Sequence, residues 1–182
     1  MECRAMKPFV RPIALLCSLL PLLLAGCIDD PRPSGGDLGQ GDRLPAFSVR
    51  LSDGTLATNE SLHGAPALIV FFHTGCADCR QELPVIDSFY RTAGTGDPIL
   101  GKRPSVQVVC ISREEEEDEV AAYWQEQGLS MPYSAQADRK VYSLFASSRI
   151  PQLYMIDRYG VITALWDDRQ MPSLQDLLAA IP

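Results

Sequence analysis

Cys76 and Cys79, separated by Ala77 and Asp78, are the residues whose types and spacing carry the clearest chemistry in this sequence. Two cysteines so spaced can form half of a zinc site or can exchange with a disulfide. A structural zinc site needs four ligands. The chain has no second Cys-x-x-Cys, and its histidines are His63 and His73; His73 is a conceivable third ligand, but nothing supplies a fourth. The residues therefore favour thiol chemistry, with no bound metal or cofactor expected. Where a helix begins, Cys76 stands at the terminus, and unpaired amides and the helix dipole favour a thiolate there. Cys79 falls one turn inward, near enough to bond back. The outer sulfur can then attack a substrate disulfide, and the inner one can resolve the mixed disulfide.

Other candidates surround this pair. Asp78 places a negative charge between the sulfurs. It opposes a thiolate, and a less stable thiolate makes a less oxidising couple, about 1.4 kcal/mol for each 30 mV, which points to a reductant. Cys110, amid Val106, Val108, Val109 and Ile111, reads as a buried apolar side chain. His73 either tunes the motif or is an ordinary loop residue, and His63 reads as a loop residue without a task. The acidic run from Glu114 to Glu119 reads as a solvated helix start.

The elements that must position the motif are legible in the hydrophobic pattern. Ala67 to Phe72 is a continuous apolar run, as in a strand buried on both faces. After Thr74-Gly75 the period becomes helical, with Leu83, Ile86, Phe89 and Tyr90 at 3–4 residue spacing. Pro84 inside that helix is expected to bend it. Upstream, Phe47, Val49 and Leu51 alternate with polar residues. The Asp53-Gly54 turn returns the chain to Leu56–Thr58 as a hairpin partner. Residues 92–104 read as a loop and Val106 to Ile111 as a strand. Ser112 and Glu115 are spaced as a capping box, predicting a helix from about Arg113 to Gln127 with Gly128 ending it. A short extended piece at Met131 to Tyr133 and a helix from Asp138 to Phe145, with Val141, Leu144 and Phe145 buried, come next. Strands at Leu153 to Ile156 and Val161 to Trp166 flank an Asp157–Gly160 turn, and Leu174 to Ile181 is the last helix. This order predicts an α/β fold with a mixed central sheet flanked by helices and an N-terminal β-hairpin extension.

The chain has 182 residues, 46% of them hydrophobic, enough for one domain with a proper core. Its net charge of -7 argues against nucleic acid and against electrostatic docking on anionic lipid. Arg4, Lys7 and Arg11 precede an apolar run from Ile13 to Leu24, which is short for a membrane span of ~20 residues. A charged start, an apolar middle and a small-residue end mark a secretory signal. The run ends Leu23-Leu24-Ala25-Gly26-Cys27, which resembles the bacterial lipobox. That resemblance implies cleavage before Cys27 and lipid on its sulfur and new amino group. A short uncleaved anchor is the alternative. Residues 27–43, rich in Gly, Pro and Asp, read as a lipidated cysteine and flexible tether, leaving residues 44–182 as the folded domain.

From residue 44 onward the sequence resembles the thioredoxin superfamily, and within it the membrane-tethered TlpA/ResA-like oxidoreductases. Four segments in order carry the likeness: residues 71–79, Glu82-Leu83-Pro84, Ile150-Pro151 and Ile156-Asp157-Arg158-Tyr159-Gly160. The resemblance implies that Pro151 is cis and faces the motif. The backbone of Ile150 would then pair with an extended substrate segment beside Cys76. Two positions depart from thioredoxin itself. Gly75 stands where it has tryptophan, and Val70 stands where it has a buried acid. By the same resemblance Glu82 takes over that acid's task and relays the proton of Cys79. The plain alternative is a solvated helix glutamate.

Three functions fit these observations. The first is a reductase of disulfides in exported proteins, held to the bacterial cell envelope by its lipid. It would be supplied by a membrane electron donor of the DsbD/CcdA kind, because no dithiol pool is expected outside the cytoplasm. The second is a peroxiredoxin-like thiol peroxidase. That group has threonine three residues before its reactive cysteine, where this chain has His73. The third is a non-catalytic lipoprotein that uses the fold for binding.

Overall fold

The structure, a computed structural model, describes residues 36–94 and 105–182. Cys27, the segment read as a secretory signal and most of the residues read as a tether lie outside the described residues, as does most of the loop expected at 92–104. Two strands, β1 (Ser48–Arg50) and β2 (Leu56–Thr58), form an antiparallel hairpin. The main sheet holds β3 (Ala67–Phe72), β4 (Gln107–Ser112), β5 (Tyr133–Ser134), β6 (Gln152–Ile156) and β7 (Ile162–Asp167), in the order β5-β4-β3-β6-β7. β3 runs parallel to β4 and antiparallel to β6, so the sheet is mixed, with β3 at its centre.

The continuous apolar run of β3 follows from that central place, because successive side chains point to opposite faces and both faces are covered. Leu68, Val70 and Phe72 join one core with the helices α1 (Ala77–Phe89), α2 (Glu117–Gln127) and α3 (Leu174–Ala179). Ala67, Ile69 and Phe71 join the other, closed by the hairpin and by Tyr142, Phe145 and Ala146. In this second core Phe71 meets Tyr142 and Phe145 at centroid distances of 5.5 and 4.9 Å. The three α-helices thus share one face of the sheet, and Phe72 packs on Trp124 of α2 at 4.9 Å. α1 continues through Pro84 and passes into a π-helical turn at Tyr90–Gly94.

Two predicted helices differ from the observed chain. α2 begins at Glu117 and not near Arg113, with Glu119 Oε2 accepting the Glu116 amide at 3.0 Å. Ser112 ends β4 instead of capping a helix, and its hydroxyl accepts the Gln136 amide at 3.0 Å. The physical cause lies just beyond it. Glu114 takes a left-handed φ of 60°, and the amides of Glu114 and Glu115 donate to the carbonyls of Asp138 and Gln136. A backbone paired sideways in this way cannot continue a helix. The helix expected from Asp138 to Phe145 shrinks to a 3-10 turn at Tyr142–Leu144. Tyr142 enters the core there, while Leu144 is 45% exposed.

The segment before β1 is docked. Asp37 Oδ1 accepts the Ser147 amide at 2.7 Å, the Leu38 amide donates to Phe145 O at 2.8 Å, and Gly41 and Leu44 donate to Ile162 and Gly160. Among the described residues, Asp37, Leu38, Gly41 and Leu44 thus bond to the folded domain, within the stretch that composition reads as a tether up to Arg43. Among the described residues no helix is long and apolar enough to cross a membrane.

Candidate active site

The site forms where β3 ends in the middle of the sheet. Its last residue, Phe72, is fully buried, and the chain must turn at once to start α1 over the sheet. Residues 73–75 make that turn, and the Cys76 amide closes it by donating to the His73 carbonyl at 3.0 Å. Cys76 is the N-cap of α1, in an extended conformation at φ -82° and ψ 126°. Its Sγ takes the place that a serine or aspartate oxygen usually fills, accepting the Cys79 amide at 3.5 Å.

The two sulfurs sit in different surroundings. Cys76 is half-buried, whereas Cys79 is fully buried among the residues of the helix-side core, Leu83 and Ile86 included. Burial pushes the Cys79 thiol far above its ordinary range, and the Cys76 sulfur and Asp78 push the same way. Both cysteines are free thiols, as is Cys110, which is fully buried in β4 opposite Val70. The pair therefore combines an accessible sulfur with one that loses its proton only when something nearby accepts it.

Glu82 lies one turn beyond Cys79 on the same helix and is only 3% exposed. Burial alone raises its carboxyl to about 7. Its Oε1 has no hydrogen-bond partner among the described residues. Of the two readings of this residue, a solvated glutamate does not fit.

Across from α1, the Ile150–Pro151 peptide is cis. The Cys76 thiol points at the Ile150 carbonyl, 3.8 Å away. This segment is held from behind, for Tyr142 OH donates to the Arg149 carbonyl at 2.8 Å, and Arg149 Nη1 reaches both oxygens of Asp168 at 2.8 and 3.1 Å. The structure thus brings Cys76, Asp78, Cys79, Glu82, Ile150 and Pro151 to one end of the sheet; Cys27, expected from its lipobox-like context to carry lipid, lies outside the described residues.

Sequence reading missed one member of the site. Glu115, assigned to a solvated acidic run and to a capping box, is 3% exposed. Its Oε1 accepts the Thr74 amide at 2.9 Å and the Thr74 hydroxyl, and lies 3.3 Å from His73 Nδ1. His73 Nδ1 in turn accepts the Gly75 amide at 2.9 Å. Gly75 suits this packing, because a Cβ there would come within 3.2 Å of the imidazole and the ring would have to shift. From the other side Arg80 Nε donates to the Thr74 carbonyl at 2.5 Å, while its guanidinium lies 5.6 Å from the ring centre of Tyr123. Nothing in a run of glutamates singles out Glu115, since its burial is decided by the left-handed bend at Glu114. Among the described residues no three His, Cys, Asp or Glu side chains converge as metal ligands.

Comparison with known proteins gives a consistent picture. The profile of a family described as the AhpC/TSA family matches residues 40–165. A protein named thiol-disulfide oxidoreductase ResA from Bacillus thuringiensis is 21% identical over 122 residues, 67% of this chain. The chain spans 66% of that relative's length, just under two thirds. The thioredoxin-like protein YneN of Bacillus subtilis is 27% identical over 128 residues, 68% of each chain. Among solved structures, the thioredoxin domain of a thiol-disulfide oxidoreductase from Bacteroides vulgatus superimposes with a TM-score of 0.64 at 17% identity, covering 80% of this chain and all of that one. The fold is therefore thioredoxin-like, a mixed five-stranded sheet with helices and an added N-terminal hairpin.

Proposed function

The chain belongs to the AhpC/TSA family, and from that premise we propose that it is a thiol–disulfide oxidoreductase which reduces disulfides of exported proteins through Cys76 and Cys79. The observation that carries this reading is the asymmetry of the pair. A half-exposed sulfur caps α1, and a fully buried one lies a turn below, its amide 3.5 Å from the first sulfur. A relative named thiol-disulfide oxidoreductase ResA supports the same chemistry, and one named thioredoxin-like protein YneN supports the fold.

The Cys76 thiolate attacks one sulfur of the substrate disulfide, forming a mixed disulfide and expelling the other substrate sulfur as a thiolate. Cys79 then gives up its proton and attacks Cys76 Sγ. The Cys76–Cys79 bond forms, the mixed disulfide breaks, and the second substrate thiol leaves. Two electrons have passed from the dithiol to the substrate. Glu82 is the base that receives the Cys79 proton, because a carboxyl near 7 is poised to take one at neutral pH. The Ile150 backbone beside the cis-proline offers an edge for an extended substrate segment. Regenerating the dithiol needs a membrane electron donor, since no dithiol pool bathes the outside of the cell. The lipobox at Cys27 would hold the domain at the membrane facing that compartment.

The test is reduction of a small aromatic disulfide and of a disulfide-bonded exported protein by the reduced chain and by Cys76→Ser and Cys79→Ser. Cys76→Ser should be inactive, and Cys79→Ser should stop as a mixed disulfide at Cys76. Equal reduction by wild type and Cys76→Ser would favour a binding protein. Rapid peroxide consumption with slow disulfide reduction would favour the peroxidase.

A further inference from the structure

The turn that presents Cys76 contains a proton-dependent choice. His73 Nδ1 has one position to offer, and two groups compete for it. The Gly75 amide points at it from 2.9 Å, which requires an unprotonated Nδ1. The Glu115 carboxylate oxygen stands 3.3 Å away, which suits a protonated one. The carboxylate is fixed in place. Its side chain is 2% exposed against 37% for the imidazole, its Oε1 is already bound by both donors of Thr74, and its own backbone is pinned by Gln136. Glu115 Oε2 is buried without a partner among the described residues, so the acid is anchored only through the oxygen that faces the turn.

We propose that Glu115 and His73 are positioning residues for Cys76, and that protonation of the imidazole exchanges the Gly75 hydrogen bond for an ion pair with Glu115, loosening the turn immediately before the reactive sulfur. This rests on the exchange reaction proposed above and adds a control to it. The proton comes from solvent through the exposed side of the ring. The turn is tied down while the imidazole is neutral and released when Nδ1 carries a proton, because only the neutral ring can accept the Gly75 amide. The other charged or titratable groups around the turn are Cys76, Asp78, Cys79 and Arg80 of the helix start, with Arg113, Glu114 and Glu116 beside Glu115 in sequence and Arg139 facing Glu114 at 3.6 Å. The Arg149–Asp168 pair closes the cis-proline side. Arg80 donates to the Thr74 carbonyl in either state, so it holds the turn without reporting the imidazole's charge.

Two measurements on the reduced full-length protein test this. In the first, the Gly75 amide and the His73 ring nitrogens are followed by nuclear magnetic resonance from pH 5 to 8. The ring should carry its proton on Nε2 at pH 8, and the Gly75 amide should move in step with the ring's titration. An amide that stays still, or a ring protonated on Nδ1 at pH 8, overturns the proposal. In the second, alkylation of Cys76 by iodoacetamide is measured and divided by the thiolate fraction read from ultraviolet absorbance. Wild type should slow about fivefold per thiolate from pH 8 to 5.5, the loss of one hydrogen bond of about 1 kcal/mol. His73→Gln keeps an acceptor for Gly75 but cannot titrate, so its rate per thiolate should be flat. Glu115→Gln keeps the Thr74 acceptor and should fold, whereas Glu115→Ala should give a slow turn at every pH. A sloping profile in His73→Gln equal to that of wild type would sink the idea. Neither measurement uses a disulfide substrate. Failure to reduce disulfides with the Gly75 coupling intact would therefore count against the proposed reaction and not against the coupling.

Discussion

The Cys76 thiol points at the carbonyl oxygen of Ile150 from 3.8 Å, across 74 residues of sequence, so the sulfur proposed to attack and the edge proposed to seat its substrate are in contact. The other two described thiols face apolar packing instead. In the folded, reduced protein Cys76 should react with iodoacetamide at least ~100-fold faster than Cys79 or Cys110, whose burial raises both thiols and denies them to reagents. Mass spectrometry of peptides after brief alkylation would show the order, and comparable labelling of Cys110 would contradict the fold.

Glu82 sets a pH dependence of stability with a definite sign. Its carboxyl is raised from 4.5 to about 7 by burial. The native state therefore holds a proton that the unfolded chain releases, and stability falls as pH rises through that window. The full cost at pH 8 is about 3 kcal/mol. Glu82→Gln should recover much of this at pH 8 and little at pH 4, as read by urea unfolding at both pH values. An equal effect at the two would mean that the carboxyl is not raised.

Asp87 is a buried carboxylate with the opposite sign. Burial pushes it up, but the Ser130 amide and hydroxyl and the Arg91 guanidinium at 2.6 Å outweigh that and hold it below its ordinary value. Its contribution is complete above the unfolded value of 3.8 and is lost as pH falls through the native one. Asp87→Ala should cost about 3 kcal/mol at neutral pH, because the Ser130 and Met131 donors lose their acceptor. The penalty should shrink in acid, and a penalty that grows in acid would reverse this assignment.

Asp78 sits in the first turn of α1 between the two sulfurs. Asp78→Asn should make the couple more oxidising by about 10–30 mV, the size expected from removing one partly solvated charge. Equilibration with glutathione would measure it. A wild-type potential near the roughly -120 mV of a strong oxidant such as DsbA would remove the case for a reductant.

Cys27 is tested by location. Growth with a radiolabelled or alkyne-tagged fatty acid should label the wild-type chain and leave Cys27→Ser unlabelled, with the variant released from the membrane fraction. Several acyl chains, at about 0.8 kcal/mol per buried methylene, would make the difference large. Labelling that survives the substitution would remove the anchor from this reading.

How much was legible varied with the range of the contact. The central strand, the hairpin and the start of α1 are local patterns: an unbroken apolar run, an Asp-Gly turn, a change of period from strand to helix. The connection after β4 was not legible, because a run of glutamates has no hydrophobic period. Its course is fixed by pairing with residues 136 and 138. The helix expected at 138–145 failed for a related reason, since Tyr142 is drawn into the aromatic core of the second face and Leu144 is turned out.

By itself, the sequence determined the α/β architecture and a pair of cysteines one helical turn apart at a strand-to-helix junction, because these depend on spacings of two to four residues along the chain. Only the tertiary structure decided which acids are buried. Glu115 meets Thr74 across 41 residues, and Glu82 is buried. Whether a carboxyl is solvated depends on what the rest of the chain lays over it, and that is a property of packing and not of its neighbours in sequence.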